Sequence, residues 1–504
     1  MNVDYNFSTK LRVSAGFAFT QGQREDSWKD SAGKVKVRGE AMTKMPNMSP
    51  YLLDENGERT SEYFVPVETS NYTPFQGTWS NWTFNPIAMA KESMNNTTSR
   101  DIRVTFNLQY RIIADLIFNS DIGFDIGAKN TKKFLPQIAT GVNSSSNYFN
   151  MSDDLKSDNL SMNINNKLVY NKMFNESHRM ILTVMSQIKE SSTASYSSEV
   201  SGVGSESLSD PTTGGKIVSM GSGSSRNRTV GFVFNAHYNY KDRYMLTAGY
   251  RYEGNSRMGK DRRWGGFPSA SVAWRVSEEN FLKPYSAWLS DAKFRYSWGK
   301  TGNSPSGSYP YIGKFTSNGD YIGSAAVSPS TIQLNNLKWE IVTQNNFGVD
   351  LAFLNHNLEV TFDLYDKVSD DLLQKDAKIS STTGFGTVSY FNSGKIRNYG
   401  WEFRIDYRNI IKTEDFNLGV NFNVSRNRNE VKELPSNMTY EKYTFGNSNY
   451  AQNVVEGDPL GSFYGYKCLG VYQNEAQTIA RDANNNPIMD MAGNPVYMTV
   501  NNVR

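Results

Sequence analysis

Cysteine is almost missing. Cys468 stands alone among 504 residues, which excludes an intrachain disulfide and any metal site built on cysteine. Long apolar runs are missing too. No window approaches eighteen consecutive apolar residues, so no helical membrane span is expected. Strand spans stay open, because their alternating pattern leaves a much weaker hydropathy trace. Histidine is scarce, and His178, His237 and His356 lack metal-type spacing, so structural roles are expected for all three. A net charge of +3 with 20% charged residues leaves no nucleic-acid footprint. No G-x-S-x-G elbow, phosphate-cradling glycine loop or H-E-x-x-H occurs. The Gly-Ser cluster at 221–225 lacks the lysine and the strand–helix setting of a P-loop. No catalytic, cofactor-binding or metal-binding residue is therefore expected, and the chain does not read as an enzyme. The N-terminus, MNVDYNFSTKLRV, has neither the basic nor the apolar segment of a signal peptide.

What is present is alternation. In TVGFVFNAHYNY, Val230, Phe232, Phe234, Ala236, Tyr238 and Tyr240 share one face, while Thr229, Gly231, Val233, Asn235, His237 and Asn239 lie on the other. After a KDR turn the pattern resumes with Tyr244, Leu246, Ala248, Tyr250 and Tyr252. A period of two on both sides of a tight turn predicts an antiparallel hairpin. Tyrosines edge an apolar middle, as in the wall of a transmembrane β-barrel. A mean hydropathy of −0.58 with 13% aromatics fits a barrel with a wet interior.

The same unit recurs along the chain. A first strand is expected over 6–20, followed by a polar connection over 21–100. That connection holds an aromatic tract from Tyr72 to Phe84 with Trp79 and Trp82. Asp54 and Asn56 before Gly57 resemble the start of a calcium loop, but no acidic residue follows at the twelfth position, so a hairpin turn is expected. Paired strands are predicted at 102–111 with 116–126, 160–170 with 180–188, and 270–276 with 292–298. Two more pairs follow, 347–353 with 358–364 and 399–407 with 416–424. Loops are expected at 129–157, 191–227, 299–338 and 367–396. Short turns thus alternate with long polar loops. Charge partitions by face: Arg251, Arg275, Lys293, Arg295, Asp350, Glu359, Asp363, Glu402, Arg404 and Asp406 all fall in the polar rows. A lipid-facing Arg or Lys at the midplane costs roughly 2–4 kcal/mol, so one-sided exclusion is what lipid imposes. Asp363 and Glu402 could form a carboxylate pair, but solvation of a wet lumen is the default for such residues.

About thirteen strands are expected before residue 426, each near the ~9–11 residues of a tilted span. The expected fold is all-β: an antiparallel transmembrane β-barrel with long extracellular loops, of which this chain is a portion; plugged outer-membrane transporters have about 22 strands. Residues 1–426 are expected to form barrel hairpins. Residues 427–504 are expected to be an extracellular loop region, with related turns DANNNP (482–487) and DMAGNP (490–495). The barrel's continuation is expected to be missing from this chain, and the functional protein to be longer.

Residues 252–275, YEGNSRMGKDRRWGGFPSASVAWR, closely resemble the signature of SusC/RagA-type TonB-dependent outer-membrane transporters of Bacteroidetes. The matching positions include Tyr252, Gly254, Ser256, Gly259, Gly266, Phe267, Pro268, Ser269, Ala273, Trp274 and Arg275. KFRYSWGKTGN (293–303), LKWEIVTQNNFGVDLAF (337–353), VTFDLYDKVSDDLL (360–373), NSGKIRNYGWEF (392–403) and GDPLGSFYGYKCLGVYQ (457–473) resemble further family segments in order. The resemblance implies an N-terminal plug, energy from a TonB-ExbB-ExbD complex and a SusD-like surface lipoprotein over the mouth. It also implies contact with outer-membrane lipid, and a cargo of oligosaccharide or in some members peptide. No TonB box, plug or terminal strand ending in an aromatic is found here. The leading expectation is TonB-dependent import of nutrient glycans across the outer membrane. A non-transporting surface adhesin barrel and a passive porin are the alternatives. The ligand-contacting residues stay unassigned.

Overall fold

The computed structural model describes the chain except residues 31, 32, 34, 45, 66–83, 206–208, 212–214, 435–442, 445–450, 465–473, 483 and 498–504. Cys468, Trp79 and Trp82 lie outside the described residues, as do most of the aromatic tract and the end of the 457–473 segment.

The chain enters through β1 (Asn2–Asn6) and β2 (Leu11–Glu25). A long connection carries α1 (Val37–Thr43), the small hairpin β3 (Tyr51–Leu53) and β4 (Arg59–Tyr63), and α2 (Pro86–Glu92). β5 (Met94–Ile113) and β6 (Leu116–Leu135) lead to α3 (Gln137–Thr140). Then come β7 (Met151–Phe174), β8 (His178–Ser201), β9 (Lys216–Tyr240), β10 (Tyr244–Asn255), β11 (Trp264–Arg275) and β12 (Leu289–Asn303). A side hairpin, β13 (Phe315–Tyr321) and β14 (Ser324–Pro329), precedes β15 (Glu340–Phe353) and β16 (Leu358–Asp370). A second one, β17 (Leu373–Lys378) and β18 (Thr387–Asn392), precedes β19 (Lys395–Lys412) and β20 (Asn417–Glu433). β21 (Tyr443–Thr444), β22 (Ala451–Asn453) and β23 (Ser462–Tyr464) follow.

Fourteen strands form one antiparallel sheet in the order β1-β2-β5-β6-β7-β8-β9-β10-β11-β12-β15-β16-β19-β20. Apart from the side hairpins, each strand pairs with its neighbours in sequence. Register carries the apolar rows across the strands. Leu116, Tyr170, Leu182, Ala236, Ala248, Ala270 and Trp298 form one continuous rung. A slip of one residue would turn every apolar row to the other face, so the alternation itself fixes this pairing.

That apolar face is uncovered. Val184 is 46% exposed, Phe234 49%, Leu246 50% and Val272 50%. The remaining sheets are two- and three-stranded. A buried apolar cluster does exist: Trp28, Phe84, Ala88, Met89, Leu135, Ala139 and Met151 pack together in the connections and at the loop-side ends of β6 and β7. A soluble sandwich would bury its apolar rows in the core. Here they face outward, and a contiguous apolar surface spanning many strands requires lipid.

Aromatic edges bound the band. At the turn end His178 Nδ1 lies 2.6 Å from Tyr238 Oη, and the His178 ring lies 4.7 Å from that of Tyr240. Tyr244 Oη donates to Glu279 at 2.5 Å, and Trp274 Nε1 donates to the same carboxylate at 3.2 Å. At the loop end Tyr252 stacks on Trp264 at 4.9 Å. Each ring keeps an apolar body in the band, and the turn-end Tyr and Trp add a polar tip at its edge.

Several expectations are corrected. The expected strand 6–20 is two strands, β1 and β2, because Ser8 closes a turn: its Oγ accepts from the N–H groups of Lys10 and Leu11 at 3.2 and 3.1 Å. The sheet therefore has fourteen strands rather than about thirteen. Strands take all of the expected loop 129–157 except 136–150, and all of 191–227 except 202–215, since β6 to β9 run 20 to 25 residues each. Those extensions lack apolar alternation, yet the ladder continues because each neighbour supplies the next pair of backbone partners. Loops 299–338 and 367–396 carry the hairpins β13–β14 and β17–β18. Connection 21–100 is also structured in part, and LLDENGE is the β3–β4 turn. There Asp54 Oδ1 accepts from the N–H groups of Asn56 and Glu58 at 2.9 and 2.8 Å.

The chain divides into two compact units, Met1–Arg428 and Asn429–Arg504. In the second, the related turns prove to be an eight-residue repeat. Ile488 N–H donates to Ala480 O, Val496 N–H to Ile488 O, and Ala480 N–H to Val496 O, at 2.9, 2.8 and 2.7 Å. Asp482 and Asp490 close equivalent turns, each Oδ1 accepting two backbone N–H groups. Those N–H groups, foremost that of Asn486 at Asp482 and that of Asn494 at Asp490, hold both carboxyls below their ordinary value.

Candidate functional site

The face opposite the apolar rows carries most of the charged and polar side chains, and near β12–β16 its charges neutralise one another. Arg295 donates to both oxygens of Asp350 at 2.9 Å and to Asp363 at 2.9 Å, while Lys293 lies 3.1 Å from Asp350. Arg295 stands opposite Gly348, where a Cβ would come within 2.5 Å of its guanidinium carbon. The missing side chain lets the guanidinium lie across the strand. Nearby, Arg408 pairs with Glu359 at 3.1 Å, and Arg275 with Asp291 at 3.2 Å.

Across β6 to β9 the same face changes character. Two rungs run side by side over four strands: Lys129, Ser157, Ser195 and Gly223, then Thr131, Leu155, Ser197 and Gly221. They floor a cleft of about 520 Å³; the rung between them, Lys156, Tyr196 and Ser222, contributes backbone to the floor and turns its side chains to the opposite face. The two glycines keep it open, because a Cβ on Gly221 would meet Ser197 Oγ at 3.0 Å and one on Gly223 would meet Ser195 Oγ at 3.2 Å. Lys129, Ser157 and Ser197 make no side-chain hydrogen bond or ion pair among the described residues, whereas Thr131 bonds Thr97 at 2.9 Å. The cleft lies beyond the apolar band. On the opposite face of β8 and β9 the apolar row has already given way to Glu190 with Arg226 and Arg228.

Further toward the loop-side ends, Lys133 and Asp153 form a buried ion pair at 3.2 Å, 6% and 3% exposed. Glu199 faces Asp153 from β8, and Asp153 Oδ1 has no hydrogen-bond partner. Burial pushes the Asp153 carboxyl up to about 6 against the pull of Lys133, and the charges of Glu199 and Asp30 add to the rise.

The sequence candidates are kept apart. His178 contacts Tyr238, His237 Nδ1 lies 2.9 Å from Thr247 Oγ1, and His356 Nδ1 lies 3.9 Å from Glu359. Asp363 and Glu402 do stand directly opposite each other, but Asp363 is engaged by Arg295 and by Asn346 at 3.3 Å. Among the described residues no group of three or more His, Cys, Asp or Glu is arranged to hold a metal. The Gly-Ser cluster is strand, and it floors the cleft. Sequence reasoning missed Lys129, Ser157 and Ser197. Strict alternation of Gly221, Ser222 and Gly223 was the available signal, but only register brings its partners into view.

Residues 47–503 match the model of the TonB dependent receptor-like, beta-barrel family. The chain is 31% identical over 402 residues to TonB-dependent receptor P3 of Formosa agariphila, covering 77% of this chain and 39% of that protein. It is 34% identical over 289 residues to TonB-dependent receptor SusC of Bacteroides thetaiotaomicron, covering 54% of this chain and 28% of that protein. The chain thus spans well under half the length of these curated relatives. Among solved structures, the RagAB peptide importer in a closed-closed state shares the fold at a TM-score of 0.75. It is 20% identical, covering 99% of this chain and 52% of that one.

Proposed function

We propose a function from one premise: this chain belongs to the TonB-dependent receptor-like β-barrel family, whose members reside in the bacterial outer membrane. On our reading the protein to which it contributes imports nutrient oligosaccharides, driven by TonB-ExbB-ExbD and capped by a SusD-like surface lipoprotein. Residues 1–426 then supply wall and loops, and residues 427–504 an extracellular region. The observation that carries the proposal is the segregation of the two faces. The apolar row is exposed across the sheet, while the opposite row carries paired charges and open hydroxyls. A wall of that kind separates lipid from a wet path wide enough for a polar cargo.

Uptake of a fluorescent oligosaccharide by cells carrying the whole gene tests this directly. Import should stop when the proton gradient is collapsed, and the tagged protein should co-purify with a lipoprotein. Binding without uptake would make the protein an adhesin. Uptake that ignores the proton gradient would make it a passive pore.

A further inference from the structure

We propose that the cleft across β6 to β9 is a binding site for an acidic oligosaccharide, whose carboxylate Lys129 receives and whose hydroxyls meet Ser157 and Ser197. This deepens the importer reading and rests on it for the ligand's route, but the chemistry comes from the cleft. Neighbouring strands lie about 4.8 Å apart, so four of them give a floor roughly 14 Å across, long enough for a short chain of sugars. Of the eight floor residues only Leu155 is apolar, and none is aromatic. The floor offers a peptide a single apolar side chain, that of Leu155. Nor could a peptide add as a strand, because β6 to β9 are already paired on both edges. Hydroxyls that donate and accept, set at regular spacing with glycines between them, suit a ligand that itself carries many hydroxyls.

Lys129 fixes the ligand's sign. Two other pairs of charges on this face are matched: Lys133 with Asp153 at 3.2 Å, and Arg103 with Asp125 at 2.5 Å. Asp101, one rung below on β5, lies outside ion-pair distance of Lys129, and Lys156 pairs with Asp158 at 3.7 Å on the opposite face. An unmatched ammonium beside the free hydroxyls of Ser157 and Ser197 selects an anionic group on a polyhydroxylated ligand.

The test uses the full-length protein in detergent and three probes: a uronic-acid hexasaccharide, its methyl-esterified neutral form, and an acidic hexapeptide. We expect the uronate to bind at least tenfold more tightly than either of the others. Lys129→Ala should remove that margin, Lys129→Arg should retain it, and Gly223→Val should weaken both sugars by closing the cleft. Equal binding of charged and neutral sugars, tighter binding of the peptide, or an unchanged Lys129→Ala variant would overturn the site. The importer reading fails separately. Lys129-dependent uronate binding with uptake that ignores the proton gradient would keep the site and sink the importer. Energy-driven uptake with Lys129-independent binding would do the reverse.

Discussion

At the scale of single residues the polar face is governed by close approach. Arg295 reaches Asp350 and Asp363 across β15 only because position 348 has no Cβ. Ordinarily Gly→Ala in a strand is neutral or slightly favourable, since it stiffens the unfolded chain. Gly348→Ala should instead displace the guanidinium from two carboxylates and cost about 1–3 kcal/mol. Gly123→Ala serves as the control, because nothing lies within 3.8 Å of its added carbon and only Asn163 O comes as near as 3.9 Å. Chemical denaturation of the two variants in detergent should separate them by that margin, and equal midpoints would remove Gly348 from this role. Asp153 supplies a pH dependence. Its carboxyl sits beyond the apolar row that ends at Leu160, with its folded value raised to about 6 from the usual 3.8. A raised carboxyl binds its proton more tightly when folded, so the stabilisation is complete below the unfolded value and is lost as pH rises through about 6. Amide exchange at the loop-side ends of β6 and β7 should therefore be slower at pH 5 than at pH 7.5. Asp153→Asn should flatten the difference. Exchange that slows with rising pH, after correction for the intrinsic rate, would contradict it.

At the scale of elements the alternating strands were legible and their extensions were not. Val184 lies in the apolar row of β8 between Leu168 and Phe234, and neighbouring Thr183 points to the polar face. Val184→Arg places a guanidinium in lipid at a cost of roughly 2–4 kcal/mol, while Thr183→Arg should be tolerated. The folded, heat-modifiable fraction in outer membranes should drop for the first variant only, and equal yields would mean the face is not lipid-exposed. The same alternation made the hairpins readable from sequence, because lipid on one side and water on the other write a period of two. It stops at Leu160 and Ile188, yet β7 and β8 continue to Met151 and Ser201. Beyond the band both faces meet water, so Ser, Gly and Asn serve on either. What holds the chain extended there is its neighbours' backbone, which composition does not record. Lys129 was hidden for the same reason: its significance lies in the rung it shares with Ser157, Ser195 and Gly223. β1 was hidden because its apolar row, Val3, Tyr5 and Phe7, runs on into that of β2 with only Thr9 between, while Ser8 closes a turn there. The eight-residue repeat of the second unit was half legible. Its turns were visible in DANNNP and DMAGNP, but the hydrogen-bond ring joining Ala480, Ile488 and Val496 was not.

At the scale of the whole molecule, alternation of short and long connections sets the direction in the membrane. β5–β6, β7–β8, β9–β10 and β15–β16 are joined by turns of two to four residues, and all of these turns lie at the same edge of the sheet. Lys241 and Asp242, both at positive φ, match the right-handed strand twist there. The opposite edge carries the loop-side helices, the side hairpins, the cleft and the buried Lys133–Asp153 pair. Outer-membrane barrels keep their turns in the periplasm and their loops outside. Single cysteines placed at Ser145 and Asp242, both exposed, in a Cys468→Ser background of the full-length protein test this orientation. A membrane-impermeant maleimide applied to intact cells should label position 145 and spare position 242 until the outer membrane is permeabilised. Labelling of position 242 alone in intact cells would invert the molecule, turning the cleft to the periplasm, where it could not receive a ligand from outside.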